Sequence, residues 1–231
     1  MIGVDLNVDH IAVSNVNNIG QLIESFVLKF DIHNKTSGQI IKIIEAKAIE
    51  LVDYAAEHNK RIVLEKLDTT QAKVKNPYGN RKANRRMSGF AYDVMRRSIK
   101  SRADKMGIEV DEVNPAYTSQ IGKIKYMKPL GISIHEAASY VIARRAMGFK
   151  EKLPPVLYSL VPEQKQGLHH WAHWVYVSKS LSKVRQHSFY QIELSNSNRL
   201  YPSWMTLFPQ ESLKDFEKMG LFALDRRKSE A

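Results

Sequence analysis

The chain has 231 residues, 43% hydrophobic and 26% charged, the balance of a globular protein with one sizeable core and room for a small second lobe. Its 35 Lys+Arg outweigh 24 Asp+Glu, and the net charge of +11 points to a polyanionic partner. The sequence has no cysteine, which excludes disulfides, Cys-ligated zinc and iron–sulfur clusters. No apolar run reaches the length of about 18 residues that a membrane helix needs, and no signal peptide is readable, so a cytoplasmic, nucleoid-associated protein is expected.

Residues 2–6 and 10–16 read as short strands around the turn Asn7-Val8-Asp9, and 25–32 reads as a third. The period then changes. Thr36-Ser37 can cap a helix, and Ile40, Ile44, Ala48, Leu51 and Ala55 share one face of a helix over 38–59. Strand character returns over 61–67, which a helical crossover lets join the sheet in parallel. Residues 68–87 lack apolar periodicity and read as a basic loop. A helix over 88–106 is stopped by Gly107, a strand follows over 108–113, and Ser133 starts a helix that runs to Met147. Pro154-Pro155 marks a break, Pro162 can open a helix to about Arg185, and 186–231 reads as a packed appendage. The expected domains are 1–148 and 149–231.

Two carboxylates fall inside apolar strands, Asp5 in Ile2-Gly3-Val4-Asp5-Leu6 and Glu65 in Ile62-Val63-Leu64-Glu65. A buried acid is costly unless a cation or strong hydrogen bonds compensate it. The order βββαβαβα is that of the ribonuclease H-like α/β fold, a mixed five-stranded sheet whose first and fourth strands are neighbours. In that arrangement the two acids could share Mg²⁺ or Mn²⁺, hard cations that take oxygen ligands. Two such ions about 4 Å apart can activate water against a phosphodiester. The plainer alternative makes Asp5 a turn residue and pairs Glu65 with Lys66 or Arg61. A third ligand is expected from Glu136, although Ser133-x-x-Glu136 also spells a capping box. His135 beside it reads as an outer partner, a ligand or a surface residue.

The run from Gly3 to Val13 resembles the first RuvC motif of TnpB-type transposon-encoded nucleases, relatives of type V CRISPR effectors. Val63-Leu64-Glu65-Lys66-Leu67 resembles their second motif, and Arg96 to Gly107 their Lys/Arg-rich helix end. Pro115-Ala116-Tyr117-Thr118-Ser119-Gln120 matches their Pro-x-Tyr-Thr-Ser-Gln, and Glu136-Ala137-Ala138 their third-motif helix. The resemblance covers residues 1 to about 148. It implies a Mg²⁺-dependent endonuclease with Asp5, Glu65 and Glu136 as catalytic ligands, acting on DNA, and it admits a guide RNA as a further partner. Three departures stand out. The family's zinc ribbon is replaced by the cysteine-free stretch from Ile121 to Ile132, so no zinc is expected. The formal match to the family's third Asp is Ile134. Met1 stands almost at the first motif, which would suit a fragment or one half of a split system.

The excess of basic residues between 66 and 105 suggests phosphate contacts from Lys73, Lys75, Arg81, Lys82, Arg85, Arg86, Arg96, Arg97, Lys100 and Arg102. Its alternative is a solvated helix face. His169 and His173, four apart, lack the Glu of a His-Glu-x-x-His hydrolase, and Trp171 and Trp174 make that helix a packing face. A second functional reading, a nuclease-derived nucleic-acid-binding regulator or transposition accessory protein without catalysis, follows from the altered third motif.

Overall fold

The computed structural model of the chain describes residues 1–66 and 79–182, with the backbone alone at 79–88, 156, 181 and 182. The chain divides into two units, Met1–Glu151 and Lys152–Ala231. The boundary falls three residues beyond the one expected at 148.

The first unit opens with a meander, β1 (Ile2–Leu6), β2 (His10–Val16) and β3 (Leu22–Lys29), paired antiparallel throughout. The third strand starts earlier than the expected residue 25. Asn17 closes the hairpin by accepting from the amides of Ile19 and Gln21, and Gly20 takes φ +80°, so pairing resumes at Leu22. Helix α1 (Ser37–Glu57) begins with a capping box between Thr36 and Gln39, and buries the expected stripe from Ile40 to Ala55. Next comes β4 (Ile62–Glu65), parallel to β1, then α2 (Gly79–Met106) and β5 (Val110–Val113), parallel to β4. The basic loop expected over 68–87 is corrected for 79–87, which are helical. Ala, Arg, Lys and Met are good helix formers even where no apolar face betrays them. Residues 67–78 lie outside the described residues.

The sheet order is β3-β2-β1-β4-β5. After β5 the chain forms α3 (Thr118–Gly122), a π-helical turn (Lys123–Met127) and α4 (Lys128–Leu130), none of which the sequence pattern predicts. Helix α5 (Ile134–Ala146) follows, with Ser133 as its N-cap, and Gly148 just beyond it has φ +85°.

Alternation along β1 divides the sheet into two unlike faces. Ile2, Val4 and Leu6 join Ile11, Val13, Ile62 and Leu64 in one apolar core with α1 and α2. The other face carries Gly3, Ser14 and Ser25 side by side across β1, β2 and β3, and α5 lies on them. A Cβ on Gly3 would stand 2.0 Å from the Ser139 carbonyl oxygen and 2.8 Å from the Ala143 Cβ. Only glycine admits the helix there. Ser14 bonds the Ser139 hydroxyl at 2.6 Å and donates to the Glu136 carbonyl at 2.9 Å, which satisfies polar groups that this close approach buries.

In the second unit, a 3₁₀ stretch (Pro155–Leu160) packs against α6 (His170–Ser182). Trp174 and Val177 are buried, and His173 meets the Tyr158 ring edge-on at 5.3 Å, in keeping with a packing role for this helix. The expected helix over 162–185 is therefore two pieces, a 3₁₀ turn (Glu163–Lys165) and α6. The appendage expected at 186–231 lies outside the described residues.

Candidate active site

Gly3 fixes where α5 touches β1, and the site follows from that contact. Two residues along the strand is about 6.6 Å, close to one turn of helix. Asp5 therefore faces α5 about one turn nearer the helix N-terminus, where His135 projects its ring. The Nδ1 of His135 lies 3.1 Å from Oδ2 of Asp5, and Asn7 donates to the same oxygen at 3.0 Å. Asp5 is only 7% exposed, and its partner across the antiparallel ladder is the small Ala12.

Glu65 reaches the same place from β4. The parallel register pairs Ile2 with Ile62 and Gly3 with Val63, and extending it two residues sets Asp5 level with Glu65, on the same face. Burial pushes the Glu65 carboxyl up to about 7. Asp5 adds to the rise, while a hydrogen bond with Thr118 and the charge of Arg145 oppose it. Thr118 Oγ1 donates to Glu65 Oε1. The carboxyl thus stands against its own ionisation by about 3 kcal/mol, the deficit a neighbouring cation would offset.

His135 is held above the ordinary imidazole range by its hydrogen bond to Asp5, against burial, which lowers it. Its ring meets that of His10 edge-on at 4.5 Å, and His10 Nδ1 is 2.7 Å from Oδ1 of Asp9. The β1–β2 turn and the start of α5 therefore share a chain of four groups, Asp9, His10, His135 and Asp5.

Glu136 does not join them. Its Oε2 accepts from the Ser133 amide at 2.9 Å, and its Oε1 accepts from the Ser25 hydroxyl at 2.8 Å. Burial pushes its carboxyl up, but the bonds from Ser133 and Ser25 outweigh this and hold it below the usual range. Glu136, expected as third ligand, forms the alternative capping box with Ser133 in this structure. Consecutive residues on a helix point about 100° apart, so with His135 on Asp5, Glu136 swings over β3.

The basic residues divide. Arg96 and Lys100 both clasp Glu112, at 2.6 and 2.9 Å, tying α2 to β5, and Arg102 holds Asp53 of α1 at 2.6 Å. These three, expected at phosphates, take part in ion pairs within the fold. Arg97 is exposed, its Nε donating to the Asp93 carbonyl at 3.3 Å. Lys73 and Lys75 lie outside the described residues, and at Arg81, Lys82, Arg85 and Arg86 only the backbone is described.

Along the sequence His135 has three readings, and Thr118 and His10 stand inside motif runs without a role of their own. The available signals were the polar pair His135-Glu136 opening an otherwise small-residue helix, and Thr118 within the Pro-x-Tyr-Thr-Ser-Gln run.

Among the described residues, no three Asp, Glu, His or Cys side chains form a metal-binding cluster. Buried Asp5 and half-buried Glu65 on adjacent strands still suit Mg²⁺, which is commonly held by one or two carboxylates and completed by water and substrate phosphate oxygens.

The strand order, with an antiparallel meander and two parallel crossovers, makes this a ribonuclease H-like α/β domain. No protein-family model matches the chain, and no curated protein matches it. Among solved structures it is similar to RuvC of Thermus thermophilus in complex with a Holliday junction substrate, at 15% identity and TM-score 0.41, over 62% of this chain and 88% of that one. A second structure of Thermus thermophilus RuvC is similar at the same identity and score, over 63% of this chain and 96% of that one. No helix among the described residues is long and apolar enough to cross a membrane.

Proposed function

We propose that the chain is a metal-dependent DNA endonuclease of the TnpB type. The observation that carries this reading is the alignment of Asp5 and Glu65 on neighbouring parallel strands, one of them pushed up to about 7 by burial and by its neighbour. Asp5 and Glu65 would hold Mg²⁺ or Mn²⁺, which when bound supplies positive charge to the phosphate and to the attacking water. Asp5 orients His135 through Nδ1, leaving Nε2 to take the proton that water loses as its oxygen bonds to phosphorus. The bond from phosphorus to the 3′ oxygen breaks, and that oxygen takes up a proton, giving a 5′-phosphate and a 3′-hydroxyl. Asn7 fixes the Asp5 carboxylate in the orientation these roles need. DNA as substrate is supported by the net charge of +11 and by the sequence resemblance. The preference for unpaired strands and the use of a guide RNA rest on the resemblance alone.

The test is cleavage of single- and double-stranded DNA by the purified protein with Mg²⁺ or Mn²⁺, alongside Asp5→Asn and Glu65→Gln. Loss of cleavage by about 100-fold or more in each variant, with folding intact, is expected for removal of a preorganised charged group. Undiminished cleavage in either would defeat the assignment. One observation favours a second reading, a binding protein without catalysis: Glu136, the expected third acid, is engaged in the capping box. Binding of nucleic acid without turnover in either metal would select that reading.

A further inference from the structure

We propose that Thr118 and Arg145 form a latch that orients the Glu65 carboxylate, with Thr118 as the positioning residue and Arg145 as the brace that holds it in place. The inference deepens the metal reading of Asp5 and Glu65 and rests on it for the ion. Val113, the last residue of β5, pairs with Glu65, and its carbonyl accepts from the Lys66 amide at 2.8 Å. The loop that follows therefore leaves the sheet beside the site.

That loop is fixed at three points. Asn114 Oδ1 accepts from the Ala116 amide at 2.8 Å. The Arg145 guanidinium spans the loop from α5, donating from Nη1 to the Asn114 carbonyl and from Nη2 to the Ala116 carbonyl, the latter at 2.8 Å. At the far end of α3, a Cβ on Gly122 would lie 2.7 Å from the Ala137 carbonyl carbon, so backbone presses on backbone. Between these anchors Tyr117 adopts φ +63°, a left-handed conformation that a non-glycine residue takes only when its surroundings impose it. The outcome is Thr118, 3% exposed, with its hydroxyl on Oε1 of Glu65 and 3.1 Å from the Pro115 carbonyl. No hydrogen bond to Glu65 Oε2 exists among the described residues, which leaves that oxygen for an ion.

A hydroxyl has one proton, so Thr118 cannot donate to Glu65 and to the Pro115 carbonyl together. With Glu65 ionised, Thr118 gives its proton to the carboxylate and pins one oxygen. An outer partner of this kind typically changes metal affinity by about 10- to 100-fold when removed. Arginine is suited to the brace because its planar fork spans two carbonyls that a lysine could serve only singly.

The experiment uses the full chain and Mn²⁺ as probe, measured by calorimetry, with side-chain couplings of isotope-labelled Glu65 recorded in the absence of metal. Thr118→Val is expected to bind Mn²⁺ about 10-fold more weakly and to let the Glu65 side chain average among rotamers, while Thr118→Ser restores both. Arg145→Met should reproduce the loss more completely than Arg145→Lys. Unchanged Glu65 couplings in Thr118→Val would overturn the latch, as would Mn²⁺ affinity equal to wild type in Thr118→Val when Asp5→Asn has lost it. A wild-type protein that takes up no Mn²⁺, yet whose Glu65 loosens in Thr118→Val, would keep the latch and defeat the metal reading instead.

Discussion

The two faces of one sheet are built on opposite principles. Against α1 and α2 the strands present Ile2, Val4, Leu6, Ile11, Val13, Ile62 and Leu64, large side chains that fill space. Against α5 they present Gly3, Ala12, Ser14, Ser25 and the two acids, small or polar groups that let a helix come close, with Val16 packed on Tyr140 and Ala143 beside them. Because the pleat alternates, a five-residue strand such as β1 serves both. The larger apolar core lies on the first face, and the second keeps Asp5 beside Glu65, whose carboxyl burial holds against ionisation. Removing bulk from the first face should therefore have the largest effect. Ile44, fully buried in α1, is expected to cost about 2–5 kcal/mol when changed to Ala, read from urea unfolding. A loss below about 1 kcal/mol would show that this face does not carry the core.

The same logic predicts the opposite sign on the second face. In the absence of divalent metal, Glu65 holds its proton up to about 7 when folded, against 4.5 as its ordinary value. Between those values the native state binds more proton than the unfolded chain, so wild-type stability falls as pH rises from about 4.5 to 7. Glu65→Gln escapes this loss. The variant should match wild type below pH 4.5 and exceed it by about 3 kcal/mol above pH 7, a gap that Mg²⁺ closes by stabilising the wild type alone. Thermal melts across this range, with EDTA and then with Mg²⁺, check it. Equal slopes for the two proteins would remove the strain ascribed to the carboxyl.

The contrast also separates what could be read along the chain from what could not. Order and pairing were readable because they depend on period. Ile40 to Ala55 mark a helix by their spacing, and Asp5 and Glu65 stand out because acids are rare among branched strand residues. The partners of those acids were not readable, because each lies far along the chain. His135 meets Asp5 only through the close approach permitted at Gly3, and Thr118 meets Glu65 only through a loop braced from α5. The ion pairs of Arg96, Lys100 and Arg102 were not readable either, because Glu112 and Asp53 belong to other elements. The helix from Gly79 and the short turns between 118 and 130 carry no apolar period to announce them.

Gly3 tests whether the close approach itself makes the site. In Gly3→Ala the added carbon meets the backbone oxygen of Ser139, which no rotamer change relieves. A loss of about 1–3 kcal/mol is expected, the range for overpacking, as α5 is forced outward. The displacement should also carry His135 off Asp5, and the ring's proton affinity should then fall, since its hydrogen bond to Asp5 is the chief cause of its elevation. NMR titration of the His135 ring separates the two effects. A destabilised variant with an unchanged ring would mean that the helix start is held independently of Gly3.

Glu136 gives the smallest effect and discriminates between the two roles a sequence could assign it. As the N3 residue of a capping box, it satisfies the Ser133 amide and the Ser25 hydroxyl. Glu136→Ala should then cost about 1 kcal/mol of stability, as lost caps do, with Mn²⁺ affinity unaltered. Glu136→Gln is the sharper variant, because an amide oxygen can replace the carboxylate in the cap but is a poor substitute for it on a hard cation. Retained stability with retained ion binding fits the cap. Weakened Mn²⁺ binding in Glu136→Gln, at undiminished stability, would return the residue to the metal and require α5 to turn its first residues toward β1 when the ion arrives.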